Sequence, residues 1–562
     1  MQRYRLIENI ILPFFISCTI FLFIRGPNNY IFGQDSMPFF GLFSFYQNPL
    51  FSFNNGIETA YSSVLMKFIL DIFSNVIISQ RLMIFLGTYI SGIGFFDLLD
   101  VLSFMPNKFP RLLSKTFGLM LFLYNPFTLS VTWAHISAWS TLLLISPFII
   151  SFLTETVFKG GNLKRFCLTS LLTIVFVSGL MGGNYPFFLL TVGIYLAFPL
   201  YFIARNPKEK SNVVMMLKRV TYIVLFVCIS TLWAFLPDFF VTFISSAGTA
   251  YSKSFLLKFI ISESQSTNLP NVLSLIGYSW IYGVPNAYPW IYYLNAIRTS
   301  AYLLLFFLPL IFTVMRKIKT FLPITIVAAF AVIFSTGSNF PFGILNERLL
   351  FMKGPFLFLV NAYYFVLQFY VLFISLLISV ILYLIIPRNE HKIQNYKISH
   401  YNFKWINIMI RRYIKRIIVI SLAFFLLSTF FYPFFNDQVY QSKGTNIDEI
   451  NINNGLLSLE NYLKKNYSSP YYNTLLIPTS SGKATYFCYN NNSTFEDSTG
   501  LISTVDPYPL IREDNSYLAS SIENYLSSDN FRNIIGVLDF LHIKYIILTY
   551  NYSKVKLTIG VA

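Results

Sequence analysis

Charged residues are scarce in this chain of 562 residues, where they make up 12% of the sequence. Soluble globular proteins carry about 25% charged residues, whereas 55% of this chain is hydrophobic. Apolar runs of about 18 or more residues recur along the first 435 positions, and each is long enough to cross a bilayer. One soluble core would have to bury all of these runs at once. The composition therefore excludes the soluble class and predicts a polytopic membrane protein.

Cysteine is rare as well, with Cys18, Cys167, Cys228 and Cys488 as the four positions. Three of them fall in predicted membrane spans and the fourth is alone in the tail. Neither a disulfide framework nor a metal-ligand spacing such as CxxC is present. The first apolar run, residues 10–24, lacks a small-residue cleavage site, and further apolar runs follow it. We therefore expect a retained first helix rather than a cleaved signal peptide.

The apolar runs predict an all-α membrane domain, residues 1–433, with about eleven transmembrane helices. The predicted spans are residues 7–24, 82–99, 116–132, 138–153, 166–182, 187–204, 220–237, 299–315, 320–336, 357–386 and 417–433. The larger outer loops are residues 25–81, 238–298 and 337–356. Residues 434–562 mix polar segments with a β-rich run at 544–550, so we expect a small α+β domain there.

The net charge of +17 comes from short loops between the apolar runs. One set of alternate loops holds about 24 basic residues and the opposite set about 8. The richer set includes Lys108, Arg111 and Lys115, and it ends with the basic run at 388–416. By the positive-inside rule, this asymmetry places the N-terminus in the cytoplasm and the C-terminal domain outside. The loop bias explains the charge without a nucleic-acid partner.

Four N-x-S/T sequons agree with this orientation. They begin at Asn466, Asn491, Asn492 and Asn551, and none occurs before residue 440. All four therefore fall in the segment that the charge bias sends outside, where glycosylation takes place. A tail rich in Asn and Ser also produces sequons by chance, so the support is modest.

Asp35 is the acidic residue of the outer side whose surroundings stand out. It follows the first predicted helix in the segment Gly33-Gln-Asp-Ser-Met-Pro38, between apolar residues. Such surroundings desolvate a carboxylate and move its pKa toward the range of a general base. An Asx-turn cap before Pro38 is the structural alternative, and the residues alone leave both interpretations open.

Four stretches of the chain resemble one class of membrane enzymes. They are Tyr30-Ile-Phe-Gly-Gln-Asp35 with Asn48-Pro-Leu-Phe-Ser-Phe-Asn-Asn-Gly56, Leu123-Tyr-Asn-Pro-Phe127, Ser266-Thr-Asn-Leu-Pro-Asn-Val-Leu-Ser-Leu-Ile-Gly-Tyr-Ser-Trp280, and Leu538-Asp-Phe-Leu-His-Ile-Lys-Tyr-Ile-Ile547. They resemble, in turn, the first outer loop, the third-span signature, a long outer loop and a late strand of GT-C glycosyltransferases. The likeness is to the large branch that includes arabinofuranosyltransferases and related bacterial and archaeal proteins with a C-terminal outer domain.

The resemblance implies that Asp35 acts as catalytic base or metal ligand. It also implies a sugar donor carried on a polyprenyl phosphate and a glycan or glycolipid acceptor at the outer face of the cell membrane. Cations must then stabilise the leaving phosphate. The candidates for binding substrate or phosphate are Arg348, Lys353, Arg298, Glu263, His135 and Asn184. The sequence indicates no metal site, and metal dependence stays open.

Each of these candidates has a plainer interpretation. Arg348 stands beside Glu347, so the two are also an obvious interfacial ion pair. His135 and Asn184 lie in short outer loops where capping and turn chemistry account for such residues. Glu263 resembles the final position of an outer-loop Ser-x-Ser-Glu element in the oligosaccharyltransferase subunit by three letters.

The chain also departs from the pattern of the class. Related proteins often carry an Arg-x-Pro-Lys-like element near the tenth span, whereas the corresponding residues here, 358–364, contain no cation. The Trp-Trp-Asp-Tyr-Gly element of oligosaccharyltransferase is missing from the sequence, which argues against transfer to sequons. A non-catalytic transporter, flippase or scaffold of surface polysaccharide assembly is the alternative. No internal repeat is apparent and the central spans carry almost no charge, which disfavours a transporter.

Overall fold

The computed structural model describes the chain in segments, with isolated positions between them. The described segments are residues 2–19, 29–32, 76–102, 108–128, 146–159, 264–277, 321–351, 362–385, 424–431, 448–451, 473–477, 488–489, 493–494, 510–511, 543–550 and 556–561. This part of the chain is mostly helical. The predicted spans 166–182, 187–204, 220–237 and 299–315 lie outside it apart from single positions and short stretches.

The helices follow the apolar runs of the first 390 residues. They are α1 (Gln2–Cys18), α2 (Val76–Leu102), α3 (Lys108–Leu123), α4 (Pro126–Thr128), α5 (Ser146–Lys159), α6 (Leu269–Leu273), α7 (Leu322–Ser335), α8 (Gly343–Phe351), α9 (Ala362–Val366) and α10 (Gln368–Ile385). Among the described residues, Ile84–Leu102 is the one helical segment long and apolar enough to cross a membrane. Shorter apolar segments are Glu8–Cys18, Leu322–Ser335 and Gln368–Leu384. The number of eleven crossings therefore stays a prediction.

Two predicted spans differ from the helices that form. The span 116–132 is wrong at both ends, because α3 begins at Lys108 and ends at Leu123. The Asn125 side chain donates to the carbonyl oxygens of Leu121 (3.0 Å) and Phe122 (2.9 Å) and so caps the helix before Pro126. The span 357–386 contains two helices, α9 and α10, separated at Leu367.

Close approach of helix backbones holds the bundle together. Gly94 in α2 faces α5, where an added Cβ would lie 2.4 Å from the Phe148 backbone nitrogen. Gly118 in α3 faces α10, where an added Cβ would lie 1.7 Å from Ser379 Oγ. Small residues at such crossings let two backbones pack directly on each other, as in membrane helix pairs.

Helix α10 runs antiparallel to α3. At one end Tyr383 lies close enough to Arg111 to act on it electrostatically. In the middle Ser379 faces Gly118. At the other end, just before α10 begins, the Tyr363 ring packs 5.5 Å from the ring of Phe127. The order of these contacts places the start of α10 beside the Tyr124–Thr128 turn.

The strands lie at the start of the first predicted outer loop and in the C-terminal part. They are β1 (Asn29–Phe32), β2 (Asp448–Asn451), β3 (Asn473–Ile477), β4 (Cys488–Tyr489), β5 (Ser493–Thr494), β6 (Leu510–Ile511), β7 (Ile543–Tyr550) and β8 (Lys556–Val561). Among the described strands, one sheet has the order β6-β3-β7-β8, parallel around β3 and antiparallel between β7 and β8. Strand β7 covers the β-rich run at 544–550. The pair β1 and β2 forms a separate antiparallel sheet.

Candidate functional site

Strand β1 connects the first outer loop to the C-terminal part of the chain. Phe32 pairs with Asp448 and Asn29 with Asn451, across 419 or more residues of sequence. Paired strands lie about 5 Å apart. Asp35 follows Phe32 by three residues and lies outside the described residues. The pairing thus brings the chain that leads into Asp35 against a strand that begins with two acids, Asp448 and Glu449.

The sequence did not point to Asp448 and Glu449. Neither belongs to a motif, and both lie in the tail, more than 400 residues beyond the loop with which they pair. An alternation of polar and apolar residues in Asp-Glu-Ile-Asn is the local signal for such a strand. Its partner could not be deduced from that signal.

Arg348 is the predicted site residue that the structure describes. It lies on α8 with its side chain exposed, and Glu347 beside it is half-buried. Within the described part of the chain no ion pair joins these two residues, so the expected interfacial pair does not form there. Lys353, Arg298, Glu263, His135 and Asn184 lie outside the described residues. The structure therefore does not test a common site for them.

A buried polar joint lies where the predicted outer loops 238–298 and 337–356 meet. We use this name for residues 264–277 and 336–346, which hydrogen bond to each other. Thr267 Oγ1 donates to the Thr336 carbonyl oxygen (3.1 Å), and the Ser338 amide donates to Ser264 Oγ (2.9 Å). Asn339 Nδ2 donates to Thr267 Oγ1 (3.1 Å). Outer loops predicted from the sequence are here a packed unit.

Asn346 caps the helix that enters the polar joint. Its Nδ2 donates to the carbonyl oxygens of Ile333 (3.0 Å), Phe334 (3.4 Å) and Gly337 (2.8 Å), which follow the end of α7. The residue is fully buried, and its Oδ1 has no hydrogen-bond partner in the described part of the chain. Gly337 has φ of +55°, and a Cβ there would lie 1.9 Å from Ser264 Oγ, so glycine is required.

Two tyrosines attach the polar joint to the helical bundle. The Tyr363 hydroxyl accepts a hydrogen bond from the Gly277 amide (2.9 Å), and the Tyr370 hydroxyl donates to the Leu273 carbonyl oxygen (2.9 Å). Both tyrosines are buried. The joint is therefore fixed to α9 and α10, and through them to α3.

Gln368, the first residue of α10, is fully buried. Its Oε1 and Nε2 have no hydrogen-bond partner among the described residues. An unpaired buried amide is costly. Because α10 runs antiparallel to α3, Gln368 lies between the level of Ser379 and that of Tyr363, near the turn that follows α3.

A charge cluster joins α1, α2 and α3. Arg111 donates to both carboxylate oxygens of Glu8, at 2.9 and 2.5 Å. Lys115 Nζ lies 2.9 Å from Asp100 Oδ1 and donates to Asn9 Oδ1 at 2.9 Å. We had assigned Arg111 and Lys115 to a loop, which was wrong. Hydropathy counts a cation as a break in an apolar run, whereas here two acids compensate two bases and the helix continues.

Electrostatic effects in the charge cluster differ between its two bases. The hydrogen bond to Glu8 raises the pKa of Arg111, which is charged at any accessible pH in any case. Lys115 directly precedes the predicted span 116–132. Burial lowers the pKa of its ammonium group, and Asp100 and Glu8 oppose that effect. All four charged groups have partners within the cluster, so it is a structural element and leaves no group directed at a substrate.

Comparison with known proteins adds no assignment, because no protein-family profile and no curated protein matches the chain. Within the described residues, no three side chains of His, Cys, Asp or Glu come together as a metal site would require. The candidate site therefore consists of Asp35 beside the β1–β2 pair, with Arg348 as a described cation of the same predicted side.

Proposed function

We propose that the protein is a polytopic membrane glycosyltransferase of GT-C type, with its N-terminus in the cytoplasm and its C-terminal domain outside. Its donor is a sugar on a polyprenyl phosphate, and its acceptor is a cell-surface glycan or glycolipid. The proposal rests on the resemblance in four stretches and on the pairing of β1 with β2.

The β1–β2 pair carries the topological part of the proposal. Two paired strands must lie on the same side of a membrane, so the chain between Phe32 and Asp448 crosses it an even number of times. The apolar runs predict ten spans between these positions, which is even. The charge bias then assigns that common side to the exterior. Asp35 and residues 448–451 would share one compartment.

The same pair supports a role for Asp35. A carboxylate that abstracts a proton must be held within hydrogen-bond reach of the acceptor hydroxyl. A loop of more than 50 residues does not hold a side chain by itself. Strand pairing three residues before Asp35 restrains the loop against the C-terminal part, which in turn can present the acceptor.

The proposed reaction is a single displacement. The Asp35 carboxylate takes the proton of the acceptor hydroxyl while the hydroxyl oxygen bonds to the anomeric carbon of the sugar. The bond between that carbon and the phosphate oxygen breaks, and its electron pair leaves on the polyprenyl phosphate. Arg348 is the described cation that we propose for stabilising this charge, since guanidinium groups bind phosphate through paired donors. Metal dependence stays open.

The test compares surface glycans and glycolipids from cells that express the wild-type chain or Asp35→Asn. The substitution removes the base and keeps the shape of the side chain. Glu347→Gln is the matched control, because it neutralises another acid of the outer side that makes no ion pair in the described part. We expect loss of one glycan species in Asp35→Asn only. An unchanged profile at normal protein level would refute catalysis by Asp35 and favour the non-catalytic scaffold, transporter or flippase, as does the lack of a cation in residues 358–364.

A further inference from the structure

Segment 340–348, which the sequence assigns to an outer loop, has an exposed apolar face. Phe340 is 90% exposed, Ile344 71% and Leu345 48%. The opposite face of α8 is buried through Gly343, Asn346 and Leu350. Large exposed apolar faces mark sites that contact a protein partner or a membrane.

The length of α7 indicates the depth at which this face lies. Helix α7 has 14 residues, so it rises about 21 Å, whereas the hydrocarbon core of a bilayer is about 30 Å thick. The basic residues Arg316, Lys317 and Lys319 directly precede it and mark the cytoplasmic interface in the proposed topology. Helix α7 therefore ends within the outer leaflet. The residues after Ser335 begin below the outer surface of the membrane.

The polar joint satisfies the condition for such a position. Non-helical backbone at membrane depth is tolerated where protein groups satisfy it. The three carbonyls at the end of α7 accept from Asn346, and the Ser338 amide donates to Ser264. Thr336 is fully buried. The backbone that interrupts the helix is thus paired within the protein, and what remains exposed is apolar side chain.

We propose that the exposed face of Phe340, Ile344 and Leu345 lies in the outer leaflet, covered by phospholipid acyl chains, with Arg348 in contact with lipid phosphate. Arg348 follows Ile344 by four residues and Leu345 by three, so it shares their face of α8. Its guanidinium is exposed, and no acid among the described residues pairs with it. A cation one turn from an apolar patch matches the boundary between acyl chains and phosphates. The segment is then an interfacial anchor that fixes the height of the polar joint in the membrane.

This inference rests on the proposed membrane position of α7 but not on glycosyl transfer. Its test uses single spin labels in the full-length chain, with the native cysteines replaced by alanine. The chain is reconstituted into vesicles of phosphatidylcholine and phosphatidylglycerol. The labels replace Ile344 on the exposed face, the exposed Ala329 inside α7, and the exposed Tyr462 in the tail. Collision with oxygen reports lipid, and collision with a water-soluble nickel chelate reports water.

We expect Ile344→Cys to collide with oxygen and to be protected from nickel, at a depth between the other two labels. Nickel access at Ile344→Cys with Ala329→Cys protected would refute the inference and leave the span intact. Protection of Ile344→Cys from both reagents would also refute it, because protein would then cover the face. Nickel access at Ala329→Cys would refute the membrane position of α7, and with it part of the proposed function.

The contact with phosphate has its own test. We expect Arg348→Gln to lower severalfold the amount of phosphatidylglycerol that stays with the protein on purification from mixed vesicles, relative to phosphatidylcholine. Glu347→Gln is the control and should retain wild-type lipid. Equal retention by Arg348→Gln and the wild type would overturn the assignment of Arg348 to a lipid phosphate.

Discussion

Asn346 and Gln368 allow a direct test of the polar joint, because both are fully buried amides and one of them is bonded. Asn346 donates to the carbonyl oxygens of Ile333, Phe334 and Gly337, and two of these distances are 3.0 Å or shorter. Gln368 makes no hydrogen bond within the described part of the chain. Replacement of each by leucine removes the amide at nearly constant volume.

The two substitutions should act in opposite directions. Interhelical hydrogen bonds in membrane proteins contribute about 0.6 kcal/mol on average and up to about 1.7 kcal/mol. Asn346→Leu loses two good bonds and one longer bond, so we expect its free energy of unfolding to fall by about 1–3 kcal/mol. Gln368→Leu removes two unpaired polar atoms, and their burial alone costs about 1–3 kcal/mol. Its stability should therefore equal or exceed that of the wild type.

Equilibrium unfolding in mixed detergent micelles measures both variants against the wild type. Unchanged stability of Asn346→Leu would show that the capping bonds do not support the joint. A loss in Gln368→Leu as large as that in Asn346→Leu would show that its amide is bonded in the folded protein. Either result would refute the account of the joint given above.

Two further predictions concern the helical bundle. Arg111→Met leaves Glu8 with an incompletely compensated charge, so the free energy of unfolding should fall by about 3–5 kcal/mol; Glu8→Gln in the same chain should restore part of it, and purely additive losses would contradict direct pairing. Gly94→Ala forces a Cβ against the Phe148 backbone, which cannot rotate away, so we expect a loss of about 1–3 kcal/mol in the same unfolding assay. Gly193→Ala is the helical control, because nothing lies within 4 Å of its added Cβ, and an equal loss in both variants would exclude the packing explanation.

Apolar periodicity predicted some elements well and others poorly. The span 320–336 coincides closely with α7, and the β-rich run at 544–550 with β7. Both depend on local chemistry: α7 lacks charge, and its Pro323 lies in the first turn, where proline is tolerated. The break between α9 and α10 at Leu367 carries no glycine or proline, so no local signal reveals it.

The candidate site depends on pairings that a single sequence does not reveal. Asp448 comes to the start of the first outer loop through strand pairing over more than 400 residues. The charge cluster forms because Glu8 reaches Arg111 across two helices, whereas the positive-inside count treats Arg111 as a solvated loop residue. Periodicity predicts the elements that form, and the partners of polar residues at their ends follow from packing.

The side of the membrane on which residue 35 lies is the central claim, because base, donor and acceptor must meet there. The most direct measurement labels Asp35→Cys in intact cells with a membrane-impermeant maleimide, in a chain whose native cysteines are replaced by alanine. The proposed function predicts labelling from outside without permeabilisation. Labelling that requires permeabilised cells would place residue 35 on the cytoplasmic side and contradict it.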